Sequence, residues 1–196
     1  MIGALVLAAG QSRRMGTQKL LLPLGGEPII TRIVDELLRA GLEHITVVVG
    51  RDAGSVEAAL YGRGVNFARN LEAASDMLGS IRCGLRALPA ECAGVLVALG
   101  DQPGLRAGLV AELIRVFREE AAGIAVPKYG GHRGHPVLFA AKFREEVFSQ
   151  HDGVGLRGLL TAHPALVHEL PVSAEAALED MDTPADYERQ QQCNRG

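Results

Sequence analysis

The residues whose types and spacing best suit chemistry lie in a loop near the start of the chain. The loop runs from Gly10 to Lys19, after the apolar stretch Leu5–Leu7, and Gly16 is its second glycine. Its cations are Arg13, Arg14 and Lys19. Glycine lets backbone N–H groups approach a ligand closely, and arginine and lysine add positive charge. This combination indicates a loop that binds an anion.

The loop differs from two common phosphate-binding loops. A Walker loop has four residues between its glycines and a lysine directly after the second. Here five residues separate Gly10 from Gly16, and Lys19 comes three positions later. The loop does not fit the GxGxxG dinucleotide pattern either. On these residues alone, a glycine-bearing surface turn with solvated cations remains an alternative.

A carboxylate follows a later apolar run. Val95–Leu99 is continuous and apolar, and Asp101 comes after it in the sequence GDQPG. Mg²⁺ bound together with a polyphosphate takes one or two carboxylates, phosphate oxygens and water. Asp101 is therefore a candidate metal ligand, and the start of a turn is the alternative.

Strands and helices alternate along the first two thirds of the chain. Apolar runs predict strands at Leu5–Leu7, Ile45–Val49, Val65–Ala68, Val95–Leu99 and Ile124–Val126, the last ended by Pro127. Helical spacing predicts helices from Pro28 to Gly41, Val56 to Leu60, Ser80 to Leu88 and Leu109 to Ala122. This alternation predicts an α/β fold, a three-layer, mostly parallel Rossmann-like sheet with helices on both faces.

The last third is less regular. The sequence predicts a glycine-rich loop at Tyr129–His135, a strand at Val137–Phe139, helices at Lys142–Gln150 and Gly155–Ala162, and a strand at Val167–Leu170. Thr183 and Asp186 are spaced as a capping box for a final helix near Pro184 to Gln191. We expect residues 1–196 to form one domain.

The candidate residues share a position relative to the predicted strands. Gly10, Asn70 and Asp101 each come just after one of them. Ligands of open parallel sheets bind beyond the carboxyl ends of the strands. We therefore expect these residues to meet at one edge of the sheet.

The string LVLAAGQSRRMGTQKLLLPLGGEPII, from Leu5 to Ile30, resembles the opening signature of the nucleotidyltransferases, LAAGxSxRMGxxK. Within that superfamily the chain most resembles the molybdenum cofactor cytidylyltransferases of the MobA-like family, along nearly its whole length. The resemblance implies the nucleotide-diphospho-sugar transferase fold. It also implies an Mg²⁺-dependent enzyme that moves CMP from CTP to the phosphate of molybdenum cofactor (molybdopterin) and releases pyrophosphate.

The resemblance also implies roles for single residues. Arg14 and Lys19 would hold the triphosphate, and Asp101 would bind Mg²⁺. Asp182, in DMDTPADY, is either a second metal ligand or a residue that helps cap the final helix. The residues that would bind the nucleotide are Ala8, Ala9, Gly10, Ser12, Arg13, Gly16, Asn70, Gly79 and Ser80.

Two further features concern the substrates. The pair Ala8, Ala9 favours CTP, because the guanylyl-transferring branch usually reads AGG there. The segment GGHRGHPVLF resembles the family's acceptor side, which implies that Arg133, His135 and Pro136 bind the acceptor. A molybdenum hydroxylase is a candidate recipient of the product.

Composition excludes some classes of partner. The formal net charge of −3 argues against general binding of nucleic acid or anionic membrane. The three cysteines are odd in number and irregularly spaced, so they indicate neither a disulfide framework nor a metal knuckle. No apolar run approaches the length of a membrane span, and we expect a cytoplasmic protein.

Two rival interpretations remain open. One keeps the chemistry but changes the substrate, to GTP or to a sugar-phosphate or alditol-phosphate acceptor. The other is a non-catalytic carrier that binds the cofactor or a nucleotide and hands it to a molybdenum enzyme. An intact Lys19 and Asp101 argue against the carrier, because a carrier need not retain a metal carboxylate.

Overall fold

A computed structural model of the chain describes residues 1–10, 18–51, 53–72, 76–120, 122–172 and 180–193. The described strands are β1 (Ile2–Ala8), β2 (Pro23–Leu24), β3 (Glu27–Pro28), β4 (His44–Val49), β5 (Asn66–Arg69), β6 (Gly94–Leu99), β7 (Ile124–Tyr129), β8 (His132–Arg133), β9 (Val137–Ala140) and β10 (Val167–Pro171). The described helices are α1 (Ile29–Arg39), α2 (Ala53–Ala59), α3 (Met77–Ala87), α4 (Ala107–Glu119), α5 (Arg144–Ser149), α6 (Leu156–Ala162) and α7 (Pro184–Cys193).

One large sheet has the strand order β10–β7–β9–β6–β1–β4–β5, with β8 paired to β7. The parallel pairs are β1 with β4, β1 with β6, β4 with β5, and β7 with β10. β9 is antiparallel to both of its neighbours, β6 and β7. The predicted mostly parallel α/β sheet is therefore confirmed.

The strand order reverses at β1. The chain runs from β1 outward to β4 and β5, then returns through α3 to β6 on the other side of β1. In open sheets this reversal opens a crevice at the carboxyl ends of the strands. The ends of β1 and β6 are thus where a ligand is expected.

The core lies on both faces of the sheet. Ala4 and Val6 of β1 belong to a buried cluster that contains apolar residues of α1 and α4. Leu5, on the opposite face, belongs to a second cluster with residues of α3, α5 and α6. A strand covered on both faces must be apolar throughout, which is why β1 reads as a continuous apolar run.

Pro127 lies inside β7, and the prediction that it ends the strand was wrong. In an extended strand the N–H and C=O of one residue point to the same side, and the Pro127 carbonyl accepts a hydrogen bond from the Gly134 N–H at 3.0 Å. Its nitrogen therefore faces the β8–β9 side, where the pairing with β9 has already ended at Ala125. The missing N–H costs no hydrogen bond of the ladder.

Helix α3 begins before the predicted Ser80. Asp76 caps it, because its Oδ1 accepts from the Gly79 N–H at 2.8 Å. Aspartate and serine are equally good caps, so local preference alone does not separate the two positions. The predicted loop Tyr129–His135 also differs, since it contains β8, entered by a turn in which Gly130 and Gly131 have positive φ.

Two predicted helix ends are confirmed. Gly41 follows α1 with φ +82°. At α7 the Thr183 N–H and Oγ1 each donate to Asp186 Oδ2 at 2.7 Å, and the Asp186 N–H donates to Thr183 Oγ1 at 3.3 Å. The capping box therefore forms in both directions. Within the described ranges, no helix is both long and apolar enough to cross a bilayer.

Candidate active site

The ends of β1, β4 and β6 lie side by side at one edge of the sheet. Ala8 is paired with Val49, and the Gly100 N–H donates to the Leu7 carbonyl at 2.9 Å. A Cβ at Gly100 would lie 2.8 Å from that carbonyl oxygen, so a side chain does not fit there. This close approach sets Asp101 beside the segment that follows Ala8.

Lys19 lies between two carboxylates. Its Nζ is 2.5 Å from Asp101 Oδ2 and 2.8 Å from Asp182 Oδ1. The neighbouring Leu20 is buried in the core and fixes the short turn that carries Lys19. Burial alone lowers the pKa of Lys19, but the hydrogen bonds and charges of the two carboxylates outweigh it and the pKa is raised. Lys19 therefore stays protonated at neutral pH.

Asp182 reaches the site because Met181 is anchored in the core. Met181 is 1% exposed, and its N–H donates to the Asp101 carbonyl at 2.9 Å. The carboxylates on either side of it then bind different partners: Asp182 binds Lys19, and Asp180 accepts from Gln102 Nε2 at 2.7 Å. The structure thus brings Asp182 to Lys19, while Thr183 and Asp186 form the capping box.

Asp180 was not predicted from the sequence. Burial raises its pKa, the negative charge of Asp101 and Asp182 raises it further, and the hydrogen bond from Gln102 opposes the change. Gln102 is itself buried. The available signal was the alternation of acidic, apolar and acidic residues in DMD, which is typical of a segment with one side on a core.

The predicted nucleotide-binding residues are only partly brought together. The Asn70 N–H donates to the Val49 carbonyl at 2.8 Å, which places Asn70 at the same edge of the sheet. Asn70 Nδ2 donates to Ser80 Oγ at 3.0 Å, so these two side chains meet. The Gly79 N–H is occupied by the cap Asp76. Four predicted residues lie outside the described ranges: Ser12, Arg13, Arg14 and Gly16.

The carboxylates suit a hard divalent cation. Asp101 and Asp182 both offer oxygen ligands near the cation Lys19. Among the described residues, no group of three or more His, Cys, Asp or Glu side chains converges to hold a metal ion. Two carboxylates are nevertheless enough for Mg²⁺, which completes its shell with phosphate oxygens and water.

Next to this group lies a cleft of about 1030 Å³ that holds part of the predicted acceptor side. Arg133 and His135 line it, whereas Pro136 is buried beside it. Arg133 Nε is 2.7 Å from Glu169 Oε1, and Lys128 pairs with the other oxygen of the same carboxylate. Gln102 and Asp180 form the part of the wall that leads to Asp101.

His135 is neutral at pH 7. Burial lowers its pKa to about 4; the charge of Asp101 opposes this, and the charge of Arg157 adds to it. Its Nε2 is buried and has no hydrogen-bond partner in the described part of the chain. Sequence reasoning missed Lys128, Arg157 and Glu169, because the fold brings them to the cleft from three separate elements.

The chain matches the MobA-like NTP transferase domain over residues 4–167. It is 30% identical over 190 residues to nicotine blue oxidoreductase of Paenarthrobacter nicotinovorans, covering 93% of this chain and 92% of that protein. It is 35% identical over 130 residues to the bifunctional protein GlmU of Mycolicibacterium paratuberculosis, which is 62% of this chain. That match spans 26% of GlmU, about a quarter of its length.

Several solved structures are similar to this chain in both sequence and fold. Rv0371c of Mycobacterium tuberculosis is 30% identical, with a TM-score of 0.83 over 97% of both chains. Its manganese complex has a TM-score of 0.82 at 28% identity, over 97% of this chain and 98% of that one. A nucleotidyl transferase from Methanothermobacter is 26% identical, with a TM-score of 0.86 over 100% of this chain and 98% of that one. The chain therefore belongs to the MobA-like NTP transferase family and is a nucleotidyltransferase.

Proposed function

We propose that the chain, as one domain over residues 1–196, moves CMP from CTP to the phosphate of molybdenum cofactor (molybdopterin) and releases pyrophosphate. The observation that carries the proposal is the position of Lys19 between Asp101 and Asp182, at the edge where β1 and β6 end. A fixed cation and two carboxylates suit a triphosphate with a divalent cation. A molybdenum hydroxylase is the proposed recipient of the product.

In the proposed mechanism no side chain acts as a nucleophile. An oxygen of the acceptor phosphate attacks the α-phosphorus, and the bond from that phosphorus to the pyrophosphate breaks. Both reactants are anions, so the chain must neutralise charge and hold them in line. Lys19 would offset the charge of the triphosphate together with Arg14, and Ser12, Arg13 and Gly16 would contact the nucleotide.

Mg²⁺ is the proposed cofactor, held by Asp101 and by Asp182. When bound, it would neutralise phosphate charge. The protonated Lys19 balances part of the charge of these carboxylates and so lowers the repulsion between them. The manganese complex of Rv0371c supports a divalent cation in a related protein.

The proposed choice of CTP rests on Ala8 and Ala9. A Cβ at Gly50 would lie 3.1 Å from the Ala9 carbonyl oxygen, so the backbone at Ala9 packs closely against the backbone at Gly50. Asn70 and Ser80 lie at the same edge and would contact base or ribose. GTP remains the rival nucleotide.

The cleft beside the carboxylates suits a phosphorylated acceptor. Its volume of about 1030 Å³ is at the upper end of ordinary ligand pockets. Arg133 and the neutral His135 supply polar contacts on its wall. This supports molybdopterin, and sugar or alditol phosphates are the rival acceptors.

Thermal unfolding with Mg²⁺ and each of CTP, GTP, ATP and UTP tests the nucleotide. Ligand at about a hundred times its dissociation constant should raise the midpoint by roughly 5 to 10 °C. We expect that shift for CTP and its loss with EDTA. A larger shift with GTP would contradict the CTP assignment but keep the enzyme class.

Pyrophosphate release with CTP and molybdopterin tests the transfer. We expect release that depends on both substrates. Binding of the cofactor without release would favour the carrier. Pyrophosphate release with an alditol phosphate but not with molybdopterin would show that the proposed acceptor is wrong.

A redox activity is the second candidate, because the likeness to nicotine blue oxidoreductase extends over 93% of the chain. The glycines of Gly153–Gly158 have GxGxxG spacing, but this segment follows α5, whereas the dinucleotide fingerprint follows a strand. A change in the redox state of nicotine blue with a nicotinamide cofactor, in the absence of CTP, would favour this candidate over nucleotidyl transfer.

A further inference from the structure

We propose that Arg157 binds the phosphate of the acceptor and that His135 contacts a polar edge of the same molecule, an inference that rests on the nucleotidyl transfer proposed above. Arg157 lies at the start of α6, on the wall of the cleft. It would give the acceptor its orientation toward the carboxylates of the site.

The charges of the cleft single out Arg157. Lys128 and Arg133 both pair with the single carboxylate of Glu169, one on each oxygen, so each of these side chains already has a partner. In the described ranges, the guanidinium of Arg157 makes neither a hydrogen bond nor an ion pair, although it lines the same cleft. An uncompensated guanidinium offers a planar pair of donors that matches two oxygens of one phosphate.

His135 is the second, independent observation. Its buried Nε2 lacks a partner in the part of the chain that the structure describes, and a buried polar atom without a partner is costly. Besides burial, the charges of Asp101 and Arg157 both act on the pKa of this imidazole, so His135 lies near both groups. A neutral imidazole carries no charge that would draw the phosphate away from Arg157, and its Nε2 can form a hydrogen bond with a polar group of the acceptor.

The backbone under Arg157 is held tightly. Leu156, Leu159 and Leu160 of α6 are buried. A Cβ at Gly158 would lie 2.4 Å from His151 Nδ1, so α6 packs directly on that ring. The His151 Nε2 is in turn 2.8 Å from Glu146 Oε1. A binding group on such a support loses little freedom when it binds.

The rest of the cleft indicates the class of acceptor. Leu78, Val137, Leu156 and Leu160 line it along with the polar groups. A phosphate monoester with an apolar or aromatic body would therefore place its phosphate on Arg157 and its body on these side chains.

Equilibrium binding of phenyl phosphate tests the subsite without turnover. α,β-Methylene CTP and Mg²⁺ are present to fill the triphosphate side. We expect saturable binding to the wild type, weakened about tenfold or more by Arg157→Gln and less by Arg157→Lys. Arg118→Gln is the matched control, because Arg118 is exposed on α4 and outside the cleft. Equal affinity in Arg157→Gln, or no saturable binding to the wild type, would overturn the inference.

Kinetics then separate this inference from the proposed function. Arg157→Gln should raise the KM for molybdopterin about tenfold or more and leave the KM for CTP within about twofold. An equal rise in both constants would mean that Arg157 acts through the fold and would overturn its assignment. If the wild type transfers no CMP, the proposed function fails, while the phenyl phosphate result still decides the role of Arg157.

Discussion

Lys19 is a buried cation whose charge two carboxylates offset. A buried ammonium without partners is costly, and removal of one partner from a buried ion pair is usually more damaging than its net contribution suggests. Here Asp101 and Asp182 share the lysine, so loss of either leaves the ammonium paired with the other carboxylate. We therefore expect the chain to keep its fold when one of the two carboxylates is removed.

Asp101→Asn should lower the rate of CMP transfer about a thousandfold, equivalent to about 4 kcal/mol, because the charge that would hold Mg²⁺ is lost. Circular dichroism should show an unchanged fold. Glu112→Gln, at a partly exposed position of α4 where Glu112 pairs only with the exposed Arg115 among the described residues, is the control and should leave the rate unchanged. Near wild-type turnover of Asp101→Asn at saturating Mg²⁺ would contradict the role of Asp101.

His135 should make stability depend on pH. Its pKa is about 4 in the folded chain and 6.5 ordinarily, so below pH 6.5 the unfolded chain takes up a proton that the folded chain does not. The contribution of His135 to the free energy of unfolding is therefore complete above pH 6.5 and falls as the pH drops toward 4. Asp101, Arg157 and burial set this pKa.

Urea unfolding of the wild type and His135→Gln at pH 7 and pH 5 measures this contribution. Between the two pH values the wild type should lose about 2 kcal/mol more than the variant, which lacks the titrating group. Equal losses in the two proteins would show that His135 titrates normally in the folded chain.

One arginine of α3 holds that helix against α5 and against the segment that follows α5. Arg82 Nε donates to the Val147 carbonyl and Nη2 to the Gln150 carbonyl, both at 2.8 Å, and Nη1 is 2.6 Å from Asp152 Oδ1. α3 carries Ser80 on the nucleotide side, whereas the tied segment leads to Arg157 on the acceptor side. Arg82 therefore links the two halves of the site.

Arg82→Gln should reduce the free energy of unfolding by about 1 to 3 kcal/mol, because two carbonyls lose their charged donor. It should also raise the KM for the acceptor more than the KM for CTP. Asp152→Asn removes only the ion pair with an exposed carboxylate and should cost less than about 1 kcal/mol. If the two variants were equally stable, the carbonyl contacts would contribute nothing.

Elements whose signal is local were predictable from the sequence. The central strands are buried on both faces, so they had to be apolar runs, and the turn after α1 needed a glycine with positive φ. The place of β9, antiparallel between β6 and β7, depends on pairing between distant segments and left no local signal. The start of α3 was missed because two good caps stood four residues apart.

Some residues of the candidate site were likewise predictable from the sequence, and others were not. Lys19, Asp101 and Asp182 were predicted and meet in the structure. Asp180, Lys128 and Arg157 were missed, because each is an ordinary charged residue until the fold brings it to the cleft. The roles proposed for Ser12, Arg13, Arg14 and Gly16 stay predictions.

The carboxyl-terminal part of the chain completes the candidate site. The family match ends at residue 167, before Met181 and Asp182. Met181 is buried in the core that contains Leu20, and the Tyr187 hydroxyl donates to the Pro23 carbonyl at 2.6 Å. The carboxyl-terminal part therefore packs against the turn that carries Lys19, and it also supplies Asp182, the second carboxylate that pairs with this lysine.

A chain that ends at residue 172 should keep its sheet, because β10 ends at Pro171. Loss of the buried Met181 should lower the thermal midpoint by roughly 5 to 15 °C. CMP transfer should fall about a hundredfold or more, because Lys19 loses its contact with Asp182 and the proposed Mg²⁺ site loses one of its two carboxylates. A chain that ends at residue 193 is the matched control and should behave as the wild type. Full turnover in the shorter chain would show that the amino-terminal part forms the complete site and that Asp182 has no role in it.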